Sequence, residues 1–188
     1  MHFKVKILMV GPAQSGKTTL SNFLSEAGEV GTSYRPTRGC RIVEFEVPGV
    51  PIGSGNNVAN AEVELWDVSG DKRYESSWPV MQRSANGVIF VCNPDSVEQQ
   101  QQHLEFLHRQ FALQNGLKDS QCVVFCHQKP NTEATGAALG GPFSRISQLD
   151  TELGERSGQV RQDFKNFLSG LLGSMADAST RTENQILQ

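Results

Sequence analysis

The sequence predicts an α/β fold, a mostly parallel sheet with helices on both faces. Continuous apolar runs near residues 7, 89 and 124 suit central strands covered on both faces. Helix-period segments separate the strands, the alternation expected of right-handed crossovers. Between the first strand and the first helix lies Gly11-Pro12-Ala13-Gln14-Ser15-Gly16-Lys17-Thr18. In that setting a G-x-x-x-x-G-K-T segment is a phosphate-binding loop.

Strands are expected at Lys4–Val10, Arg41–Val47, Ala61–Asp67, Gly87–Asn93 and Gln121–His127, with a weaker one near Arg145–Leu149. Arg41–Val47 alternates apolar and charged residues, as an edge strand does. A first helix is expected from Thr18 to Ala27, stopped by Gly28. A second runs from Val97 to Gln114, with Ser96 and Gln99 as a capping box and Gly116 beyond its end. The polar run Gln99 to Gln102 is the solvated face of that helix. A third covers Gly158–Met175, where Val160, Phe164, Phe167, Leu168, Leu171, Leu172 and Met175 form one stripe. Pro48–Asn60 reads as an extended, mobile hairpin tip, and Asn131–Pro142 as a flexible loop. Residues 1–175 are expected to form one domain and 176–188 a flexible polar tail.

A chain of 188 residues suits one domain with a full core. The net charge of −3 without a dense Lys/Arg block argues against nucleic acid as a partner. No apolar run approaches the roughly 20 residues of a membrane span. Met1-His2-Phe3-Lys4 leads straight into a strand, so no signal peptide is expected. The tail has no cysteine for prenylation. Cys40, Cys92, Cys122 and Cys126 lie on or beside strands, with Cys122 and Cys126 on one face. They read as buried free thiols of a reducing compartment, hence the cytoplasm.

In the phosphate loop, the backbone N–H groups of Gly11, Ala13, Gln14, Ser15 and Gly16 would surround a β-phosphate at a helix N-terminus. Lys17 would reach the β- and γ-phosphates, and the Thr18 hydroxyl would ligate Mg²⁺. Downstream, Glu64-Leu65-Trp66-Asp67-Val68-Ser69-Gly70 ends a strand in Asp and places Gly three residues later. Asp67 suits the metal shell, and the Gly70 N–H suits a γ-phosphate. Tyr34-Arg35-Pro36-Thr37-Arg38-Gly39 precedes the second strand. Thr37 could close over the γ-phosphate and give Mg²⁺ a second hydroxyl; a ligand-free Pro-Thr turn is the alternative.

The segments GPAQSGKT, SYRPTRG and ELWDVSGDKRYESSWP, in this order, resemble a Ras-superfamily GTPase of Rab type over nearly the whole chain. The combination is similar to the Rab-like subunits of the intraflagellar transport B complex. That resemblance implies a P-loop NTPase fold of the Ras-like small GTPase kind, with GTP/GDP and Mg²⁺ as cofactors. It implies coiled-coil subunits of that complex as partners, and a place in the cytoplasm, basal body and cilium or flagellum. The chain is expected to be a monomer in isolation. Two switch segments would fall at Gly31–Gly39 and Ser69–Arg83. Tyr34, Tyr74 and Trp78 would either contact a partner or lie buried under the second.

The chain departs from the family at two places. Where active Ras-like enzymes carry a water-orienting Gln after D-x-x-G, this chain has Asp71. A carboxylate facing an anionic γ-phosphate opposes the electrostatic stabilisation that phosphoryl transfer needs. Asp71 is the one catalytic candidate, and very slow hydrolysis is expected. Arg73 reads as a surface ion-pair partner. The base-reading element, N-K-x-D in the family, is replaced by Gln128-Lys129-Pro130-Asn131. Gln128, Lys129 and Asn131 are then the base-binding candidates. Losing the bidentate carboxylate should weaken GTP ~10- to 100-fold and leave adenine open. The register His127-Gln128-Lys129-Pro130 has no acid at all. Two further readings stay open: a structural subunit whose nucleotide site does not switch, and a metabolite kinase. The second would need an arginine-bearing lid and an acceptor pocket; Arg145–Arg161 contains arginines but shows no phosphate-binding arrangement.

Overall fold

The sheet forms in the order β2-β3-β1-β4-β5-β6. The computed structural model describes residues 1–26, 36–53, 57–128 and 138–186. The strands are β1 (His2–Val10), β2 (Cys40–Pro51), β3 (Val58–Val68), β4 (Gly87–Cys92), β5 (Cys122–His127) and β6 (Ser147–Thr151). Four of the five strand pairings are parallel. Among the described residues only β2 and β3 run antiparallel, which places the alternating strand at the edge as its pattern demands. Residues of β4 and β5 are buried throughout, so both faces of these strands are covered.

The helices are α1 (Lys17–Ser25), α2 (Trp78–Met81), α3 (Val97–His108) and α4 (Ser157–Ile186). On one face Leu20 and Leu24 of α1 and Phe164, Leu168 and Leu172 of α4 pack on Ile7, Leu65, Ile89 and Phe125. On the other, Leu104 and Leu107 of α3 and Trp78 of α2 pack on Leu8, Phe90 and Val124. Side chains alternate along each strand, so neighbouring residues feed opposite cores.

Several boundaries differ from expectation, each for a local reason. The expected hairpin tip is mostly strand: β2 continues to Pro51 and β3 starts at Val58. A register shift between Val47 and Val50 absorbs Gly49, whose φ is +62°. The Ser96–Gln99 capping box does not form; Gln100 reaches back to the Ser96 hydroxyl instead. Asn93 accepts from the Asp95 N–H at 3.0 Å and so begins the turn into α3. After α3 the chain widens into a π-helical turn, Arg109–Leu113, before Gly116 at φ +70°. The last helix does not stop at Met175 but runs on to Ile186. The end of the first helix at Ala27–Gly28 and most of Asn131–Pro142 lie outside the described residues. The described end of that second loop is fastened: Gln148 accepts from the Leu139 N–H and donates to Leu139 and Phe143 carbonyls, at 2.8, 2.8 and 3.1 Å.

Candidate nucleotide site

A cavity of about 1030 Å³ opens at the C-terminal ends of the parallel strands. Ligands of open α/β sheets bind there because loops and helix N-termini converge at that edge. Ala13, Gln14, Ser15, Gly16, Lys17 and Thr18 form its floor. Thr37, Gly70 and Asp71 line one end, and Asn93 and His127 are also part of the lining.

The floor is held by close backbone approaches. A Cβ on Gly11 would lie 2.2 Å from the Val91 carbonyl oxygen, and one on Gly70 would lie 2.3 Å from the Gly11 oxygen. Only glycine fits at either place. Gln14 carries φ +62°, a left-handed backbone that a non-glycine residue adopts at a cost of ~1 kcal/mol or more. Lys17 lies beneath the loop and donates to the Gly11 and Pro12 carbonyls at 2.9 and 2.7 Å. Burial pulls its ammonium down to about 8. A polyphosphate would restore its charge preference, as an opposite charge does.

At the other side of the loop three oxygens gather. Thr18 donates to Asp67 Oδ2 at 2.6 Å, Thr37 lies 3.3 Å from the same oxygen, and the two hydroxyls are 3.1 Å apart. Asp67 is fully buried, and its Oδ1 has no partner among the described residues. Burial pushes the Asp67 carboxyl up; the Thr18 hydroxyl, Lys17 and the Thr37 hydroxyl pull it down. A buried, half-satisfied carboxylate beside two hydroxyls fits a hard divalent cation such as Mg²⁺, which binds oxygen and keeps several waters. Such a cation would neutralise charge on phosphate oxygens; the protein's part is to hold the three side chains in place.

Asp71 does not point into the cavity as a free base. Its Oδ2 accepts from Arg73 Nε and Nη2 at 2.9 and 2.6 Å, and its Oδ1 accepts from the Arg73 N–H at 2.9 Å. Arg73 therefore holds the carboxyl below its ordinary range. Trp78 is buried, 5.1 Å from the Phe111 ring and 6.0 Å from Phe106, so it is a core residue rather than a contact residue. Tyr74 lines the cavity. Tyr34, Lys129 and Asn131 lie outside the described residues.

Sequence reasoning did not single out His127 or Asn93 as site residues. Their signal was positional: each ends or follows a central strand at the ligand-bearing edge. The His127 ring packs on Gly16 so closely that a Cβ there would lie 2.3 Å from its Cδ2. Its Nδ1 is 3.2 Å from the Thr151 hydroxyl, and the Gln128 N–H donates to the Thr151 carbonyl at 2.9 Å. His127 thus joins β5, β6 and the phosphate loop. Gln128 is buried but is not part of the cavity lining, and its Nε2 has no partner among the described residues.

The fold and this site define a Ras-like P-loop GTPase domain. Residues 6–130 match the family described as Roc, "Ras of Complex, Roc, domain of DAPkinase". The Mus musculus intraflagellar transport protein 22 homolog is 39% identical over 186 residues, 98% of each chain. The Danio rerio homolog is 37% identical over 188 residues, 98% of this chain and 99% of its own. The GTP-bound crystal structure of T. brucei IFT22/74/81 superimposes with a TM-score of 0.73 at 27% identity, covering 93% of this chain and 98% of that one. The chain belongs to the intraflagellar transport protein 22 family of Ras-like GTPases.

Proposed function

We propose that this chain binds GTP and GDP with Mg²⁺ and acts as a Rab-like, nucleotide-bound subunit of the intraflagellar transport B complex. The observation that carries this reading is the Thr18–Thr37–Asp67 oxygen cluster beside buried Lys17. Gly11, Ala13, Gln14, Ser15 and Gly16 would receive the phosphates, with Gly70 at the γ-phosphate. Thr18, Thr37 and Asp67 would hold Mg²⁺. The T. brucei relative is described in both GTP- and GDP-bound forms. Its naming beside IFT74 and IFT81 supports counterparts of those subunits as partners here. Coiled-coil character of those partners, and residence in cytoplasm, basal body and cilium or flagellum, follow from the family resemblance. Hydrolysis is proposed to be very slow, because Asp71 carries negative charge to the γ-phosphate end and is paired to Arg73.

A second reading is a constitutive subunit whose nucleotide never switches. The Asp71–Arg73 pair, with both guanidinium donors on Oδ2, favours it, since no catalytic Gln or free base remains at that position. One titration separates the readings: GTP, GDP and ATP with Mg²⁺, with and without the IFT74/81 counterparts. Partner binding that shifts GTP over GDP supports a switch, because coupling is reciprocal. Equal affinities in both conditions support the constitutive subunit. Absence of any nucleotide binding overturns the first reading and leaves the constitutive subunit, with a vestigial site.

A further inference from the structure

The nucleotide site does not use Cys92 or Cys126, yet both thiols sit beside it. Cys92 ends β4 and Cys126 is the penultimate residue of β5, and the two are paired across adjacent parallel strands. Their sulfurs are 3.4 Å apart, with Cys92 donating to Cys126. Both residues are buried, and neither is bonded in a disulfide. The next residue along each strand, Asn93 and His127, lines the nucleotide cavity.

We propose that Cys92 and Cys126 form a reversible disulfide that loosens the nucleotide site. Only ~1.4 Å of approach separates the present contact from a sulfur–sulfur bond near 2.05 Å. The other two cysteines have no such neighbour: Cys122 lies at the opposite end of β5, and Cys40 starts β2. The hydrogen bond from Cys92 favours the thiolate on Cys126 and disfavours it on Cys92. Cys126 is therefore the attacking sulfur and Cys92 the resolving one.

The oxidant is a peroxide. Cys126 thiolate attacks one peroxide oxygen, the O–O bond breaks, and a first water leaves, giving the sulfenic acid. Cys92 sulfur then attacks the Cys126 sulfur, the S–O bond breaks, and a second water carries off the remaining oxygen. Two electrons pass from the pair of thiols to one peroxide, and both thiol protons end in water. Access comes through opening of the strand ends, the least constrained part of a buried strand. A dithiol reductant reverses the bond by thiol–disulfide exchange when those strand ends open. Drawing the two strand ends together displaces His127 from Gly16 and from Thr151. The phosphate loop then loses its brace.

The consequence for nucleotide rests on the nucleotide-binding reading, but the bond itself is read independently by mass. The reduced protein is treated with hydrogen peroxide, alkylated under denaturing conditions and mapped. The expected product has lost about 2 Da, with one peptide link joining Cys92 to Cys126 and with Cys40 and Cys122 alkylated. GTP and GDP affinity should fall by roughly tenfold and return on reduction with dithiothreitol. Cys92→Ser and, separately, Cys126→Ser should abolish both effects while binding nucleotide like the reduced wild type. Sulfinic acid on Cys126 without a linked peptide would overturn the disulfide. A linked peptide with unchanged affinity would overturn the coupling to the site. If either serine variant fails to fold, wild-type mapping with and without dithiothreitol still decides the disulfide. If the reduced wild type binds no nucleotide, the nucleotide reading and this coupling both fail, while the mass arm still decides the bond.

Discussion

The Thr18 hydroxyl donates to the Asp67 carboxylate at 2.6 Å, although 49 positions separate the two residues. The contact exists because β1 and β3 are neighbours in parallel register, with Met9 opposite Asp67. The phosphate loop leaves β1 at the same edge of the sheet at which β3 delivers its carboxylate.

Lys17→Ala should reduce GTP and GDP affinity at least ~100-fold, the order expected when a desolvated charge-assisted contact to phosphate is lost. Isothermal titration in Mg²⁺ checks this. Unchanged affinity would mean that the loop is not the phosphate site. Asp67→Asn should leave nucleotide binding in EDTA unchanged and remove its enhancement by Mg²⁺.

Asp71→Gln replaces the carboxylate with the residue that orients water in active relatives and frees Arg73. Single-turnover GTP hydrolysis should rise about 10-fold over wild type, as expected when an opposing charge leaves the transition state. Arg73→Ala alone should give no gain, because Asp71 would remain charged. A rise with Arg73→Ala and none with Asp71→Gln would sink this account of the slow rate.

Two glycines separate strain from clash. Gly16 has φ +95° and His127 lies where its Cβ would go, whereas Gly116 has φ +70° and nothing within 4 Å of that point. Gly116→Ala should cost only the left-handed penalty, about 1 kcal/mol. Gly16→Ala should cost about 2 kcal/mol more and lower nucleotide affinity. Urea denaturation of both variants tests the difference, and equal losses would show that His127 yields freely.

Gln148 ties Leu139 and Phe143 to β6 through three hydrogen bonds. Gln148→Ala should cost about 2 kcal/mol, since it leaves partly buried backbone groups unpaired. Hydrogen exchange should quicken first at the Leu139 amide. Nucleotide affinity should not change, because the cavity does not include this loop.

Acid should weaken the fold in a defined window. Burial lowers His103, His108 and His127 from the usual 6.5. As pH falls below 6.5 the unfolded chain takes up protons before the folded one does, so stability declines. The decline ends only below the depressed folded values. Melting temperature should therefore fall steadily from pH 6.5 downward, and His108→Gln should flatten part of that slope. A profile with the same slope in the variant would assign the effect to other groups.

Local chemistry by itself determined much of this protein. The G-x-x-x-x-G-K-T and D-x-x-G segments predict a phosphate and metal site because their glycines and oxygens have few other uses in that order. The continuous apolar runs of β1, β4 and β5 mark central strands because both their faces must be covered, and the alternation in β2 marks an edge. Tertiary structure alone decided the rest. Whether Trp78 meets a partner or the core depended on Phe106 and Phe111, residues from another helix. The pairing of Asp71 with Arg73, by contrast, is local: the two are two residues apart in one turn, and the sequence already marked Arg73 as an ion-pair partner. His127 entered the sequence reading only as the start of an alternative base-reading register; its contacts with Gly16 and Thr151 arise only where three separate segments end at one edge of the sheet. Patterns of spacing report what one segment needs to bury or to bind. They carry no distance between segments, and in this protein those distances set the Thr18–Thr37–Asp67 oxygen cluster, the braced phosphate loop and the facing pair of thiols.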